Sequence, residues 1–167
     1  MTKYIDFDDV IFDVEDLLFD EYLLAREKGI ELDKIKYMQE KDWFDILSKA
    51  PEINESVRII NELDDDTAIL TKIHSLENEG TAKVKLIRSL NIRKPIILVP
   101  YTVSKADIVS PKGNVLIDDG LFNLDEWSNN GGISLFFSKN GSDYDTWQVK
   151  NTKYQKVKSL EVLKKYI

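Results

Sequence analysis

The chain has no cysteine, seven glycines and four prolines in 167 residues. Without cysteine there is no disulfide framework, no thiolate nucleophile and no Cys-ligated zinc. The scarcity of Gly and Pro, beside 43% hydrophobic and 32% charged residues, excludes a disordered or low-complexity chain and fits an ordinary globular domain with a sizeable core. No apolar run approaches the length needed to cross a bilayer, and the lead MTK runs directly into a strand-like segment without the apolar stretch of a signal peptide. A cytoplasmic location and no membrane partner are therefore expected. Basic residues are also in deficit, giving a formal net charge of −7 and a pI near 4.8. That balance opposes wrapping of a nucleic acid polymer, which needs Lys and Arg to neutralise phosphates. Any phosphate the protein handles has to meet a local site. The isolated glycines do not form a Walker loop, and after Asp6 and Asp8 the next EF-hand ligand position falls on Val10, so neither an ATP-binding kinase nor a calcium loop is supported.

Five short apolar runs read as strands: KYIDFD near the start, TAILT at 67 to 71, PIILVPY at 95 to 101, NVLIDD at 114 to 119 and GISLFFS at 132 to 138. Helical patterns separate several of them. VEDLLFDEYLLAREKG places Val14, Leu17, Leu18, Tyr22 and Ala25 at helical spacing with Gly29 as C-cap. KYMQEKDWFDILSKA continues as helix, NESVRIINEL follows with Asn54 as its cap, EGTAKVKLIRSLNI makes another, and SLEVLKKYI is the terminal one. Alternation of this kind predicts an α/β protein with a Rossmann-like parallel sheet covered on both faces. The helices between the first two strands exceed a single crossover. Residues 14–61 are accordingly read as a small helical cap, and residues 1–13 and 62–167 as the α/β core.

The charges at the strand ends need a reason. Asp6 and Asp8 end the first strand, Thr71 the second, and Asp118 and Asp119 the NVLI strand, and ligands of open parallel sheets bind beyond the strands' carboxyl ends. Lys83, at the head of a helix, is placed to aim its ammonium at the same spot. Four carboxylates crowded together repel one another unless a cation holds them, and hard oxygen donors favour Mg²⁺.

DFDD, then TAILT, then a lysine at a helix head, then VLIDD resembles the four motifs of the haloacid dehalogenase superfamily of phosphohydrolases. Within it, ENEGTAKVKLIRSL, PIILVPYTVSKADI and NVLIDDGLFNLDEW are similar to the 5′(3′)-deoxyribonucleotidase branch, which carries a small helical cap after its first motif. The resemblance implies a role for each residue. Asp6 would be the nucleophile that forms an aspartyl-phosphate. Asp8 would protonate the leaving oxygen and then deprotonate the incoming water. Thr71 and Lys83 would bind the phosphoryl group, Lys83 also steadying Asp6. Asp118 would hold Mg²⁺ together with Asp6 and the backbone carbonyl of Asp8, supported by Asp119. The substrate it implies is a small phosphate ester, a nucleoside monophosphate before others; the oligomeric state is not legible in the sequence.

One departure stands out: Asp9 occupies a position where the family usually has Gly, so an added carboxylate either crowds the site or points away. Around the core motifs, Phe44 in the cap is a candidate platform for a base, with Trp43 packing the cap's own core. Lys72 and His74, just past Thr71, are candidate substrate contacts whose plain alternative is a solvent-facing role, and Lys105 in TVSKADI is a candidate for a further residue near the site, with no role assigned to it. The alternatives to a nucleotidase are a capped phosphatase for another ester such as a sugar phosphate, or a non-catalytic binding protein that kept the fold.

Overall fold

A computed structural model describes residues 1–140 and 153–166. Each expected strand forms: β1 (Lys3–Ile5), β2 (Thr67–Ile73), β3 (Ile96–Pro100), β4 (Val115–Asp118) and β5 (Ile133–Phe137). A sixth strand unforeseen from the sequence, β6 (Gln155–Val157), pairs with β5. Its three residues carry only one buried side chain, Val157, too little for an apolar run to betray. All pairings are parallel, in the order β3-β2-β1-β4-β5-β6.

Strand periodicity divides the core in two. Ile5, Ile69, Val115, Ile117, Leu135 and Phe137 point to one face, where they join residues of α1 (Glu15–Glu27), α2 (Lys34–Glu40), α3 (Trp43–Lys49), α4 (Ser56–Glu62) and α5 (Thr81–Ser89). Tyr4, Leu70, Leu116 and Phe136 point to the other, where α7 (Leu121–Asn129) contributes Leu124 and Trp127. The connections from β1 to β3 thus run over one face, and the chain from β3 to β4, with Val103 and Val109, joins the connection after β4 on the opposite face. Strand order reverses between β1 and β4, which makes their carboxyl ends the topological switch point.

The helices between β1 and β2 follow their caps. α1 ends as expected: Gly29 adopts φ +71°, and Ile30 N reaches back to Ala25 O at 2.9 Å, the left-handed closure that glycine makes without strain. The stretch 36–50 is two helices, not one. Asp42 interrupts it by accepting from Asp45 N at 3.0 Å as the N-cap of α3, and a short carboxylate that satisfies free amides outcompetes helix continuation. Asn54 does not cap α4: its amide donates to Lys158 O at 2.6 Å and Lys139 O at 3.3 Å, tying the helix start to the far edge of the sheet. The C-terminal segment is a 3₁₀-helix, Leu160–Lys165, capped by Ser159, whose Leu160 and Leu163 complete the first face of the core. The interrupted helices belong to that face too, since Leu18, Met38, Trp43, Ile46, Leu47, Ile59 and Ile60 share one cluster with Ile5 and Ile69.

Candidate active site

Register delivers the first two carboxylates together. Ile5 lies opposite Ile117, so Asp6 and Asp118 leave the sheet side by side, and Asp6 N donates to Ile117 O at 3.0 Å. Between β3 and β4 a short helix, α6 (Lys105–Ile108), starts at Ser104, whose hydroxyl caps Ala106 N and donates to Glu126 at 2.7 Å. That anchorage inserts Lys105 between the two acids: Nζ is 2.7 Å from Asp6 Oδ1 and 2.6 Å from Asp118 Oδ2, with 1% of the side chain exposed. Asp118 is further fixed by Gly120 N at 2.8 Å and by the Asn123 amide at 3.1 and 3.2 Å. Asp119 adds a third carboxylate, and one oxygen from each of Asp6, Asp118 and Asp119 falls within 4.8 Å of the others.

A second group adjoins the first. Lys83 points inward from α5 and is fully buried. Its ammonium lies 2.6 Å from Asp8 Oδ2, 2.8 Å from Glu79 Oε1, and 3.1 Å from both Thr71 Oγ1 and Lys72 O. Lys83 therefore holds Asp8 and Thr71, while the lysine that touches Asp6 is Lys105. The sequence signal for Lys105 was faint because its helix has four residues and no periodicity to read. Topology gives a firmer one, since the chain leaving β3 must pass β2 and β1 to reach β4 and so crosses the rim where the acids end.

The other candidates lie around this rim or outside it. The Lys72 ammonium sits 5.7 Å from the centre of the Phe122 ring, and His74 stacks on Tyr101 with centroids 5.1 Å apart. Trp43 is buried, donates its indole N–H to Met38 O at 2.8 Å, and turns its ring to within 5.3 Å of Lys83 Nζ. Phe44 instead lies under Lys85, in an apolar groove with Leu47, Ala82 and Leu86 whose lining includes none of the carboxylates.

Asp9 has a clear structural role. It adopts φ +58°, the left-handed conformation that Gly reaches freely and Asp tolerates better than most residues. Its Oδ1 accepts from Val14 N and Glu15 N, both at 3.0 Å, at the start of α1. The carboxylate thus caps a helix. Burial nonetheless pushes it up to about 6. A carboxyl that holds its proton longer in the folded state loses folding free energy as pH rises from the unfolded value near 4 through 6. Asp9→Asn, which keeps an acceptor, is therefore expected to gain stability relative to the parent across that interval. Asp9→Ala, which strains the left-handed turn and deletes the cap, is expected to lose about 1–2 kcal/mol at pH 4, and the deficit is expected to shrink as pH rises through 6 because the same raised carboxyl is gone. Urea unfolding at pH 4, 5, 6 and 7 checks both.

The electrostatics of the cluster have one sign. Burial, then the neighbouring Asp118, raises Asp6 to about 7 against the pull of Lys105. Burial, then Asp118 and Asp6, lifts Asp119 well above the usual carboxylate range. Burial also raises Asp8 in spite of Lys83. Lys105 is held above its ordinary value because Asp118 and Asp6 outweigh its own burial. One ammonium among three carboxylates leaves negative charge uncompensated, and all the donors are hard oxygens. A divalent cation of the Mg²⁺ class fits this set.

No family model and no curated protein matches the chain in sequence. Solved structures do. A hydrolase from Pseudomonas syringae superimposes with a TM-score of 0.62 at 12% identity, covering 99% of both chains. A haloacid dehalogenase-like hydrolase from Streptococcus pneumoniae gives 0.61 at 14% identity over 99% of this chain and 98% of that one. YfnB from Bacillus subtilis, a HAD-hydrolase solved bound to magnesium, gives 0.59 at 14% identity over 97% and 96%. The chain has the haloacid dehalogenase fold. Within that fold the switch point between β1 and β4 carries Asp6, Asp118, Asp119 and Lys105, with Asp8, Thr71 and Lys83 beside them. No helix among the described residues is long and apolar enough to cross a membrane.

Proposed function

We propose that the protein is a Mg²⁺-dependent phosphomonoesterase that hydrolyses nucleoside monophosphates through an aspartyl-phosphate on Asp6. The observation that carries this reading is the strand-end cluster: Asp6 and Asp118 leave neighbouring strands side by side, Lys105 engages Asp6 Oδ1 and leaves Oδ2 to attack, and Lys83 holds Asp8 beside them.

In the first step an Asp6 oxygen forms a bond to phosphorus as the ester P–O bond breaks, and the departing oxygen takes a proton from Asp8. In the second, Asp8 takes a proton from water as the water oxygen bonds to phosphorus. The Asp6–phosphorus bond breaks, inorganic phosphate leaves, and both carboxyl groups return to their starting state. Thr71 and the Lys83 and Lys105 ammonium groups stabilise the charge spread over the phosphoryl oxygens. Asp6, Asp118 and the backbone carbonyl of Asp8 would hold Mg²⁺, with Asp119 in support, and the bound cation would supply electrostatic stabilisation of the transferring group. Magnesium in the similarly folded YfnB accords with this assignment.

Residues 14–61 serve as the cap that screens the site from bulk water. The nucleotide preference rests on the likeness of TVSKADI and NVLIDDGLFNLDEW to the deoxyribonucleotidase branch. Against a non-catalytic reading stands the Asp9 side chain, whose Oδ1 is taken up in capping α1.

Phosphate release is the test, with and without Mg²⁺, across ribo- and deoxyribonucleoside monophosphates, sugar phosphates and an aryl phosphate. Mg²⁺-dependent turnover favouring nucleotides supports the reading. A preference for sugar phosphates replaces the substrate class, and absence of turnover throughout overturns the enzyme assignment.

A further inference from the structure

Behind Asp8 lies a chain of buried polar groups, of which Glu79 takes no part in the two chemical steps. Glu79 is 1% exposed, yet both of its oxygens are engaged. Oε1 accepts from Lys83 Nζ at 2.8 Å; Oε2 accepts from the His74 backbone N–H at 2.6 Å and lies 3.1 Å from its ring Nδ1. Lys83 continues the chain to Asp8 Oδ2 at 2.6 Å. The aromatic rings of Phe7 and Trp43, centred 5.1 and 5.3 Å from Lys83 Nζ, wall the ammonium in.

The backbone is bent to make this contact. Glu79 lies on a π-helical turn, Leu76–Gly80, that precedes α5. Ser75 Oγ accepts from Glu79 N at 3.1 Å, and Gly80 packs so closely that a Cβ there would lie 3.1 Å from Leu98 and 3.2 Å from Ile73. Single π-turns are uncommon and cluster at functional sites.

We propose that Glu79 is a positioning residue for the acid–base carboxylate: it fixes the Lys83 ammonium, and Lys83, bonded to Asp8 Oδ2, sets the orientation of the Asp8 carboxyl group. The inference rests on the phosphomonoesterase reading and goes beyond it by assigning a residue that touches neither substrate nor metal ligand. A lysine has three donors, and here four acceptors compete for them. With Glu79 engaged from behind by His74, the ammonium cannot swing away from Asp8. Loss of the Glu79 charge frees Lys83 to shift towards Thr71 Oγ1 and Lys72 O, and Asp8 loses its fixed orientation.

The consequence is specific to the leaving group. An alkoxide needs a proton as it departs; a nitrophenolate hardly does. For Glu79→Gln, kcat/KM on an alkyl phosphate that the parent hydrolyses is expected to fall about 100-fold, while kcat/KM on 4-nitrophenyl phosphate falls less than about threefold. Taking the ratio of the two on one preparation cancels any loss of folded protein. In an Asp8→Asn background the same substitution is expected to change neither value further, because it acts through Asp8. If Glu79→Gln does not fold, His74→Ala, which removes the ring Nδ1 contact to Glu79 Oε2 and leaves the backbone N–H in place, is expected to lower the same ratio by a smaller factor. Equal losses on both esters would overturn the positioning role and leave the phosphomonoesterase reading intact. No turnover of either ester by the parent protein would overturn both.

Discussion

Lys105→Met is expected to lower folding stability at pH 7 by about 3–5 kcal/mol, the usual consequence of removing one partner from a buried ion pair. The same variant should lose phosphate release by about 10²–10³-fold, the scale of one preorganised charge contact. The cause lies in the pair that remains. Asp6 and Asp118 emerge in register from neighbouring strands, and Lys105 is the ammonium between them, with both contacts shorter than 2.8 Å. Even with Lys105 present, burial and Asp118 push Asp6 up to about 7. Without the ammonium, Asp6 goes higher. The folded variant then binds a proton that the unfolded chain has released, so its deficit grows as pH rises above 4 and shrinks as pH falls. Urea unfolding from pH 4 to pH 8 measures this directly. A deficit below about 1 kcal/mol that does not vary with pH would show that Lys105 does not balance the acids.

The second large effect is expected from divalent cations. In metal-free buffer the parent protein should become less stable between pH 4 and pH 7. Asp6, raised to about 7, and Asp119, raised well above its usual range, hold protons in the folded state at pH values where the unfolded chain has lost them. Cation binding to the ionised cluster removes that penalty. At a Mg²⁺ concentration 100 times its Kd, the folded state gains about 2.7 kcal/mol, roughly 5–10 °C in Tm for a chain of this size. The gain should be larger at pH 8 than at pH 5, because protons and Mg²⁺ compete for the same oxygens. Asp118→Asn is expected to abolish it. Thermal unfolding with and without Mg²⁺ at the two pH values checks the sign, and a cation response that Asp118→Asn leaves intact would place the metal elsewhere.

Much of this was legible in the sequence, for identifiable reasons. Buried parallel strands are continuous apolar runs, so KYI, TAILT, PIILVP, NVLI and ISLFF declared themselves, and the acids that interrupt two of them marked the sheet's carboxyl edge. The cap of α1 at Gly29 was equally plain, because a left-handed closing residue has few candidates. What stayed hidden depends on tertiary placement. β6 has one buried side chain, so it is a strand only because β5 lies beside it. Asn54 reads as a helix cap until two distant carbonyls, those of Lys139 and Lys158, claim its amide. The division of labour between Lys83 and Lys105 was the hardest feature to read. Both stand near helix starts, and only the crossing of the chain from β3 to β4 brings one to Asp6 and leaves the other with Asp8. Glu79 gave even less warning, since an acidic residue at the head of a helix ordinarily serves the helix dipole, and here it is buried against a lysine.

In the proposed mechanism Asp6 is the group that bonds to phosphorus. Rapid acid quench of the protein during turnover of an efficiently hydrolysed phosphate ester, followed by peptide mass analysis, tests this directly. A phosphoryl adduct on Asp6 that forms only with Mg²⁺ present and is absent from Asp6→Asn, which also loses turnover, is the predicted result. Undiminished phosphate release by Asp6→Asn, or an adduct on another residue, would contradict it.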